Sequence, residues 1–325
     1  MREPKDTKYT DSSIACSICG NASGNYTVRA RELMLGTNES FDYLRCGECG
    51  CMHLINPPRD MARYYPKNYY SFSLACRHPR VGGSAGLAWR KLVMRAHLRS
   101  FGAFGRLIRY FRPIAYPWLS YVSAGMDSRI LDVGCGSGAL LREIGRYGFS
   151  CLTGVDAFLP DTMQADSGLK LVKGTIHDIG DQTFDLIMYH HSFEHIRDQQ
   201  REVSAACSRL AINGELLVRT PIGDSYAWRK YGARWVQLDA PRHMYIHTIN
   251  SLSRLMAEYR LRLVSVVYDS NSFQFTGSEC YQRGFPLEAC ASMWRHEDVR
   301  RFEEQAVSLN AMCDGDSACL IFRKD

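Results

Sequence analysis

Four cysteines in two short motifs are the residues of this chain whose type and spacing point most directly to chemistry. Cys16 and Cys19 lie in CSICG, and Cys46 and Cys49 lie in CGECG. Two thiolates separated by two residues can bind one metal ion, and four thiolates form a closed tetrahedral zinc site with no position for a substrate. We predict a structural zinc ion. A segment of under about sixty residues buries too little apolar surface to fold without a metal ion or another cross-link.

A second cluster, of histidine and glutamate, follows the strongly apolar run FDLIMY. His191, Glu194 and His195 have the i, i+3, i+4 spacing that puts side chains on one face of a helix. Three uses of this cluster stay open. An imidazole could act as a general base, because its pKa lies near neutrality. The three side chains could instead ligate a divalent metal, or they could be structural. His243 and His247, in the later segment APRHMYIH, could approach the same place.

A glycine-rich loop joins a predicted strand to a predicted helix in the sequence RILDVGCGSG. Gly134, Gly136 and Gly138 let the backbone turn tightly and approach a ligand. Their G-x-G-x-G spacing differs from the G-x-G-x-x-G of dinucleotide sites. Asp132 would repel a pyrophosphate but suits a cofactor with a positive amino group. Asp156 ends the next predicted strand, where an acid can accept both ribose hydroxyls of a nucleoside. The pattern disfavours a nicotinamide oxidoreductase.

These motifs resemble the class I S-adenosylmethionine-dependent methyltransferases. The resemblance covers about residues 127–325 and rests on ILDVGCGSG, on GVD, on GTIHD before FDLIMYHHSFEHI, and on NGELLVRTP. It implies a Rossmann-like α/β fold with a mostly parallel seven-stranded sheet, and S-adenosylmethionine as cofactor. The cofactor-binding residues that it implies are Asp132, Gly134 and Gly136 at the methionine end, with Gly138 completing the loop, Asp156 at the ribose, Ile176, His177 and Asp178 beside the adenine, and His190 at the cofactor's edge.

The sequence is similar to a broad bacterial subgroup found with polysaccharide and small-molecule tailoring pathways. That subgroup often has a CxxC…CxxCG prefix and a tyrosine-rich segment, here YYPKNYYSF. Ubiquinone-pathway O-methyltransferases carry E-x-x-E-H after the fourth strand, and small-RNA terminal methyltransferases use a similar cluster with a later histidine. Here His191 stands in place of the first glutamate. The resemblance supports the metal-binding use of this cluster, and the replacement at His191 argues against it. Our candidate catalytic residues are His191, Glu194, His195 and His243, as base, as substrate-orienting groups or as metal ligands.

Strand and helix signals alternate in the second part of the chain, which predicts a sheet covered on both faces. Predicted strands fall at residues 129–133, 151–155, 169–173, 184–189, 215–219, 261–268 and 318–323. We divide the chain into a zinc ribbon (1–58), a basic aromatic helical connector or lid (59–126) and a methyltransferase domain (127–325). A long insert at 271–315 either caps the active site or forms an interface.

The net charge of +6 belongs mainly to the connector. Between Ala75 and Met126 there are nine Lys or Arg residues and no Asp or Glu. This segment fits an amphipathic helix pair, a lid over a phosphate-bearing acceptor such as a nucleotide sugar, or a peripheral contact with an anionic membrane that carries a lipid-linked sugar. The ribbon is not notably basic, which argues against nucleic acid as a partner. We see no signal peptide and no membrane-spanning run. We therefore expect a cytoplasmic protein whose cysteines serve as metal ligands or buried thiols more than as disulfides.

The leading functional hypothesis is methyl transfer from S-adenosylmethionine to a small molecule, most readily to a hydroxyl of a sugar or glycan precursor. This acceptor class comes from the resemblance alone. Two other hypotheses stay open. An RNA-directed methyltransferase would bind RNA through the basic segment in a salt-sensitive way, although an N-P-P-[FY] motif is missing after the fourth strand. A non-catalytic scaffold would bind S-adenosylmethionine but would not need the Glu/His cluster.

Overall fold

The fold is known from a computed structural model that describes residues 9–65, 84–98, 114, 116–164, 168–290 and 292–325. Part of the predicted connector lies outside these residues, including the YYSF motif and the arginines Arg99, Arg106, Arg109 and Arg112. The three-part division of the chain, at residues 58 and 126, stays a sequence-based prediction.

The strands form two sheets in the described part of the chain. The smaller sheet has the order β1-β2-β3-β4-β11, and the larger has the order β12-β13-β10-β9-β5-β6-β8-β7. The strands are β1 (Tyr9–Ser12), β2 (Asn25–Arg31), β3 (Ser40–Arg45), β4 (Met52–Leu54), β5 (Arg129–Val133), β6 (Cys151–Asp156), β7 (Met163–Gln164), β8 (Leu169–Lys173), β9 (Phe184–His190), β10 (Leu210–Pro221), β11 (Tyr245–Ile246), β12 (Leu261–Tyr268) and β13 (Ser317–Lys324).

The larger sheet has the predicted mostly parallel centre. β10, β9, β5, β6 and β8 pair in parallel, while β13 lies antiparallel between β10 and β12. The prediction of seven strands was wrong by one, because β7 adds an antiparallel pair at the edge beside β8. β7 has two exposed residues, and two residues are too few to give a periodic sequence signal. The carboxyl ends of β5, β6 and β9 meet at one edge of the sheet.

Helices cover both faces of the larger sheet. The helices of the described residues are α1 (Ser84–Leu98), α2 (Ala139–Arg146), α3 (Gln199–Arg209), α4 (Tyr226–Tyr231), α5 (Ile249–Ala257), α6 (Phe273–Gln282), α7 (Leu287–Cys290) and α8 (His296–Ala311). One buried cluster joins Val93 of α1 and Ile144 of α2 to Ile130 of β5. Another joins Val203 of α3 and Leu255 of α5 to the opposite face. The alternating apolar pattern of the sequence thus gives the two packed layers expected of an α/β domain.

The smaller sheet is not confined to the N-terminal segment. Its last strand, β11, comes from far along the chain and pairs antiparallel with β4, Tyr245 opposite His53 and Ile246 opposite Met52. The insert at 271–315 packs against the smaller sheet, since Phe275 of α6 and Phe302 of α8 share a buried cluster with Val28 and Tyr43. The two parts of the chain therefore share one core.

Two further observations bear on the sequence-based expectations. Cys280 and Cys290 form a disulfide, which joins α6 to α7. The expectation that the cysteines would be metal ligands or buried thiols was wrong for this pair, because the turn between the two helices brings their thiols together. No helix in the described part of the chain has the length and apolar character required to cross a membrane.

Candidate functional site

The four cysteines of the CxxCG motifs come together at one end of the smaller sheet. Their sulfurs lie within 4.8 Å of one another, with Cys16 Sγ 3.7 Å from Cys49 Sγ and Cys19 Sγ 3.5 Å from Cys46 Sγ. In each motif the glycine that follows has a left-handed backbone, and its N–H donates to the carbonyl of the first cysteine. The geometry fits the tetrahedral four-thiolate zinc site that the spacing predicts.

The glycine loop brings its backbone close to the end of β9. Gly134, Gly136 and Gly138 all have φ between 53° and 77°, a region that favours glycine. A Cβ at Gly134 would lie 2.4 Å from the Cβ of Ser192, whose hydroxyl donates to the Val133 carbonyl at 2.6 Å. A side chain at Gly134 would therefore push β5 and the segment after β9 apart.

Two carboxylates flank this loop. Asp132 is 2% exposed, and its Oδ1 has no hydrogen-bond partner among the described residues. Burial, followed by the nearby Asp156 charge, raises the pKa of Asp132 to about 7. Asp156 accepts hydrogen bonds from the backbone N–H groups of Gly136 and Phe158, both at 2.8 Å. A buried carboxylate oxygen that lacks a donor is costly, so Asp132 fits a site for the ammonium group of a ligand.

The three residues predicted beside the adenine lie in a short 3-10 turn, Ile176–Asp178. Ile176 is fully buried in the core. His177 lies 3.7 Å from Glu202. Asp178 accepts from the backbone N–H and the hydroxyl of Thr175, and these bonds, the backbone one first, lower its pKa. Thr175 and Asp178 thus fix the turn, and their roles toward a cofactor stay predictions.

The strand β9 ends in two histidines with different surroundings. The ring of His190 packs 4.8 Å from that of Trp118, and its buried Nε2 has no hydrogen-bond partner in the described structure. Burial and the Arg219 guanidinium lower the pKa of His190 well below its ordinary value. His191 has a left-handed backbone with φ of 51°, and its N–H donates to the Arg219 carbonyl. Non-glycine residues rarely adopt this conformation, and it turns His191 toward Glu194.

Glu194, His195 and His243 meet beyond the end of β9. Their ligand atoms lie within 4.8 Å of one another, and the two imidazole rings are 4.7 Å apart. His191 Nδ1 approaches Glu194 Oε1 to 3.4 Å. Both imidazoles use Nδ1 for a backbone carbonyl, His195 toward Arg242 at 2.9 Å and His243 toward Gln237 at 2.7 Å. A carbonyl only accepts, so each Nδ1 carries a proton.

The charges in this cluster are unbalanced. Glu194 is fully buried, and neither of its oxygens has a hydrogen bond within the described part of the chain. Burial alone would raise the pKa of Glu194, but His191, His243 and His195 together lower it to about 2. Burial, then the His195 ring, lowers the pKa of His243 to about 4, which leaves that ring neutral at pH 7. A buried, ionised carboxylate in such surroundings fits a site for a cation.

His247, the other late histidine, lies elsewhere. Its Nε2 is 2.8 Å from Gln199 Oε1 and its Nδ1 is 3.0 Å from the Ser251 hydroxyl. The ring is fully buried, and burial lowers its pKa to about 4. The structure therefore brings one of the two late histidines, His243, to Glu194, and gives His247 structural partners.

The sequence analysis missed the residues that hold this cluster in place. Arg242 is fully buried between Asp239 and Glu32, at 2.6 and 3.0 Å. The Tyr43 hydroxyl donates to the His243 carbonyl at 2.8 Å, and the Tyr65 hydroxyl lies 3.2 Å from His195 Nδ1. Arg242 adjoins His243 in the chain and could have been noticed. Glu32 directly follows β2 and Tyr43 lies in β3, and neither belongs to a motif that would have marked it.

Comparison with known proteins matches this chain to a family and to several relatives. A family model described as a methyltransferase domain matches residues 94–266. A ubiquinone biosynthesis O-methyltransferase of Erwinia tasmaniensis is 27% identical over 154 residues, which cover 43% of this chain and 63% of the relative. The chain thus spans less than two thirds of that relative's length.

Solved structures also resemble the chain. A SAM-dependent methyltransferase from Archaeoglobus fulgidus is 20% identical, with 72% of this chain and 94% of that one covered and a TM-score of 0.39. A geranyl diphosphate C-methyltransferase from Streptomyces coelicolor is 17% identical, with coverages of 62% and 75% and a TM-score of 0.42. The family model spans more than half of the chain, including the glycine loop, both carboxylates and the Glu/His cluster. The chain belongs to the methyltransferase domain family.

Proposed function

We propose that this protein transfers a methyl group from S-adenosylmethionine to a hydroxyl of a small molecule, a sugar or glycan precursor. The observation that carries the proposal is the pairing of two sites at one sheet edge. The buried, unpartnered Asp132 Oδ1 lies beside the glycine loop. The Glu194, His195 and His243 cluster lies just past β9, which is the strand that pairs with β5. The proposed donor site and the proposed acceptor-activating cluster are thereby neighbours.

The donor site follows from the carboxylates. Asp132 would receive the ammonium group of S-adenosylmethionine, which supplies the charge that its buried Oδ1 lacks. Asp156, at the end of β6, would receive the ribose hydroxyls. Its Oδ2 already accepts from Gly136 N–H, which fixes the loop around the carboxylate. Dinucleotide cofactors do not suit this site, because Asp132 would repel their pyrophosphate.

The acceptor hydroxyl must lose a proton and lie in line with the methyl group. We assign the proton to His191, since its Nδ1 lies against Glu194 and its side chain is 34% exposed. An imidazole that a carboxylate orients in this way can accept a proton through its other nitrogen. The left-handed backbone of His191 holds it in that direction.

Glu194, His195 and His243 also fit a divalent cation. Metal-binding histidines commonly donate their second ring N–H to a carbonyl, as both imidazoles do here. The unpartnered Glu194 carboxylate would supply the negative ligand. A bound cation would lower the pKa of an acceptor hydroxyl and orient it. A cluster of one carboxylate and two imidazoles would leave coordination positions for acceptor oxygens.

The four cysteines are proposed to hold one structural zinc ion, on the strength of their spacing and their converging sulfurs. The choice of oxygen as the methylated atom is supported by the name of the Erwinia tasmaniensis relative, an O-methyltransferase. The sugar or glycan class, which includes nucleotide-linked and lipid-linked precursors, rests on the sequence resemblance. Cytoplasmic location is proposed on the same footing.

Calorimetric titration of the zinc-loaded protein tests the donor, with S-adenosylmethionine as ligand and NADH as control. We expect micromolar binding of the methyl donor and none of NADH. A screen of nucleotide sugars and free glycans, read by the release of S-adenosylhomocysteine, then tests the acceptor class. A folded protein that bound neither ligand would contradict the proposed activity. Salt-sensitive methylation of RNA in place of sugars would contradict the acceptor class alone.

A further inference from the structure

The loop that carries His243 is held largely by the N-terminal sheet. The Tyr43 hydroxyl, from β3, donates to the His243 carbonyl at 2.8 Å. The next residue, Met244, accepts from the Leu54 N–H at 2.9 Å through its carbonyl and donates its own N–H to the Glu194 carbonyl at 2.8 Å. The main chain around His243 therefore bridges the N-terminal sheet and the turn that carries Glu194.

Arg242 contacts both sides of this bridge. Its guanidinium binds Glu32 of the N-terminal segment at 3.0 Å and Asp239 at 2.6 Å. Its main-chain carbonyl accepts the hydrogen bond from His195 Nδ1. The side chain of Arg242 thus anchors to the N-terminal sheet, and its backbone orients one imidazole of the cluster.

The Glu32 end of the bridge is itself fixed. Both Glu32 oxygens accept further hydrogen bonds, Oε1 from Leu35 N–H and Oε2 from the N–H and hydroxyl of Thr37. Glu32 and Arg242 are both fully buried. Removing one partner of a buried ion pair leaves an uncompensated charge, so the surroundings must rearrange when the pair is broken. Any such movement reaches His195 and His243 through the backbone of Arg242.

We propose that the N-terminal sheet is part of the methyl-transfer site, and that Tyr43, Glu32 and Arg242 are positioning residues for His195 and His243. This inference rests on the proposed function and gives the sheet a role beyond holding zinc. The Tyr43 hydroxyl fixes where His243 lies, and the Glu32–Arg242 pair fixes where the carbonyl that binds His195 lies. These residues touch neither donor nor acceptor and act through the two imidazoles.

The test compares Tyr43→Phe and Glu32→Gln with the control Asp42→Asn. Asp42 lies in the same sheet and forms an exposed ion pair with Arg29. Its side chain takes no part in the hydrogen bonds that hold Arg242 and His243. We expect kcat to fall about tenfold in Tyr43→Phe, because loss of the hydrogen bond to the His243 carbonyl lets that imidazole shift, and misplaced groups slow transfer. The KM for S-adenosylmethionine should change less than about twofold, since the donor site is built separately.

The second readout does not need activity. The protein has 10 histidines, so spectra of 15N-histidine-labelled protein resolve individual imidazoles. We expect the His195 and His243 signals to move in Tyr43→Phe and Glu32→Gln, and to stay in place in Asp42→Asn. Folded variants with unchanged kcat and unchanged imidazole signals would overturn the positioning role. A wild-type protein without methyl transfer would contradict the proposed function instead, and the imidazole spectra would still decide the inference.

Discussion

Two side-chain clusters in the described part of this protein can hold a metal ion, and they are built in opposite ways. The first consists of four thiols from two CxxCG motifs, and the second combines Glu194 and His195 with His243. The thiol cluster satisfies a tetrahedral ion completely, whereas one carboxylate and two imidazoles leave positions open. A closed donor set suits a structural role, whereas an open one leaves positions for a reacting group.

The two clusters also differ in what surrounds them. Cys16, Cys46 and Cys49 are buried in a hydrophobic cluster that includes residues of β5 and β9. Glu194 is equally buried but has no hydrogen bond within the described structure, and it lies beside His191, which is partly exposed. The N-terminal sheet links the two, since Thr248 near β11 donates to the Cys49 carbonyl at 2.7 Å. We propose that the thiol cluster stabilises the sheet that positions the Glu194, His195 and His243 cluster.

The largest expected effect is loss of the thiol cluster. Cys49→Ser should abolish stoichiometric zinc binding and lower the melting temperature by about 10 °C, as a loss of roughly 4 kcal/mol does in a protein of this size. Cys313→Ser, at an exposed thiol outside the cluster, is the control. Metal analysis and calorimetry check both variants. One zinc ion per chain and an unchanged melting temperature in Cys49→Ser would refute the zinc assignment.

Loss of the Glu194 charge should reduce activity more than it reduces stability. Glu194→Gln keeps the shape of the side chain, and we expect methyl transfer to slow by about 100-fold or more. The melting temperature should also fall, because the imidazoles that lower the pKa of Glu194 favour its ionised form in the folded protein. Initial rates and thermal unfolding measure the two effects. A variant with a lower melting temperature but an unchanged rate of methyl transfer would show that Glu194 has only a structural role.

The donor site should respond to pH through Asp132. Burial raises the pKa of this carboxyl to about 7, so below pH 7 it is increasingly protonated and loses its attraction for an ammonium group. Affinity for S-adenosylmethionine should fall by up to about tenfold per pH unit between pH 7 and 5.5. Asp132→Asn should bind weakly and without this slope. Equal slopes in both proteins, measured by calorimetry, would show that another group titrates.

The smallest effect is expected at the surface of the N-terminal sheet. Asp42→Asn removes an exposed ion pair with Arg29, which solvent screens almost completely. The free energy of unfolding in urea should hardly change. Glu32→Gln, in the buried pair with Arg242, should cost clearly more. Equal changes in the free energy of unfolding would mean that the buried Glu32–Arg242 pair stabilises the fold no more than the exposed pair does.

The fold and the donor loop were predictable because their signals are local. β5, the glycine loop and Asp156 lie within 28 residues of one another, and the residue spacing carries the geometry. The same holds for the two CxxCG motifs. The extra edge strand β7 was missed because two residues are too few to show the alternation of apolar and polar side chains that marks a strand. The Cys280–Cys290 disulfide was missed because the argument from a reducing compartment says nothing about two particular thiols across a helix turn.

The acceptor side was predictable only in part, because it is assembled from distant segments. Glu194 and His195 are adjacent and stood out, but His243 comes from a loop about fifty residues later, and the sequence offered His247 equally. The choice depends on β11, whose two residues place His243 toward Glu194 and His247 toward Gln199. The anchors Glu32 and Tyr43 come from another sheet, and their role depends on tertiary packing that residue spacing does not encode.

The most direct test of the account is one calorimetric and kinetic comparison of Asp156→Ala with Glu194→Gln. The account predicts that Asp156→Ala loses S-adenosylmethionine binding, because the carboxylate at the end of β6 also fixes the loop through Gly136 N–H. It predicts that Glu194→Gln binds the donor as the wild type does but fails to transfer the methyl group. If Glu194→Gln lost donor binding to the same extent, or kept full transfer, the division into a donor site and an acceptor-activating cluster would be contradicted.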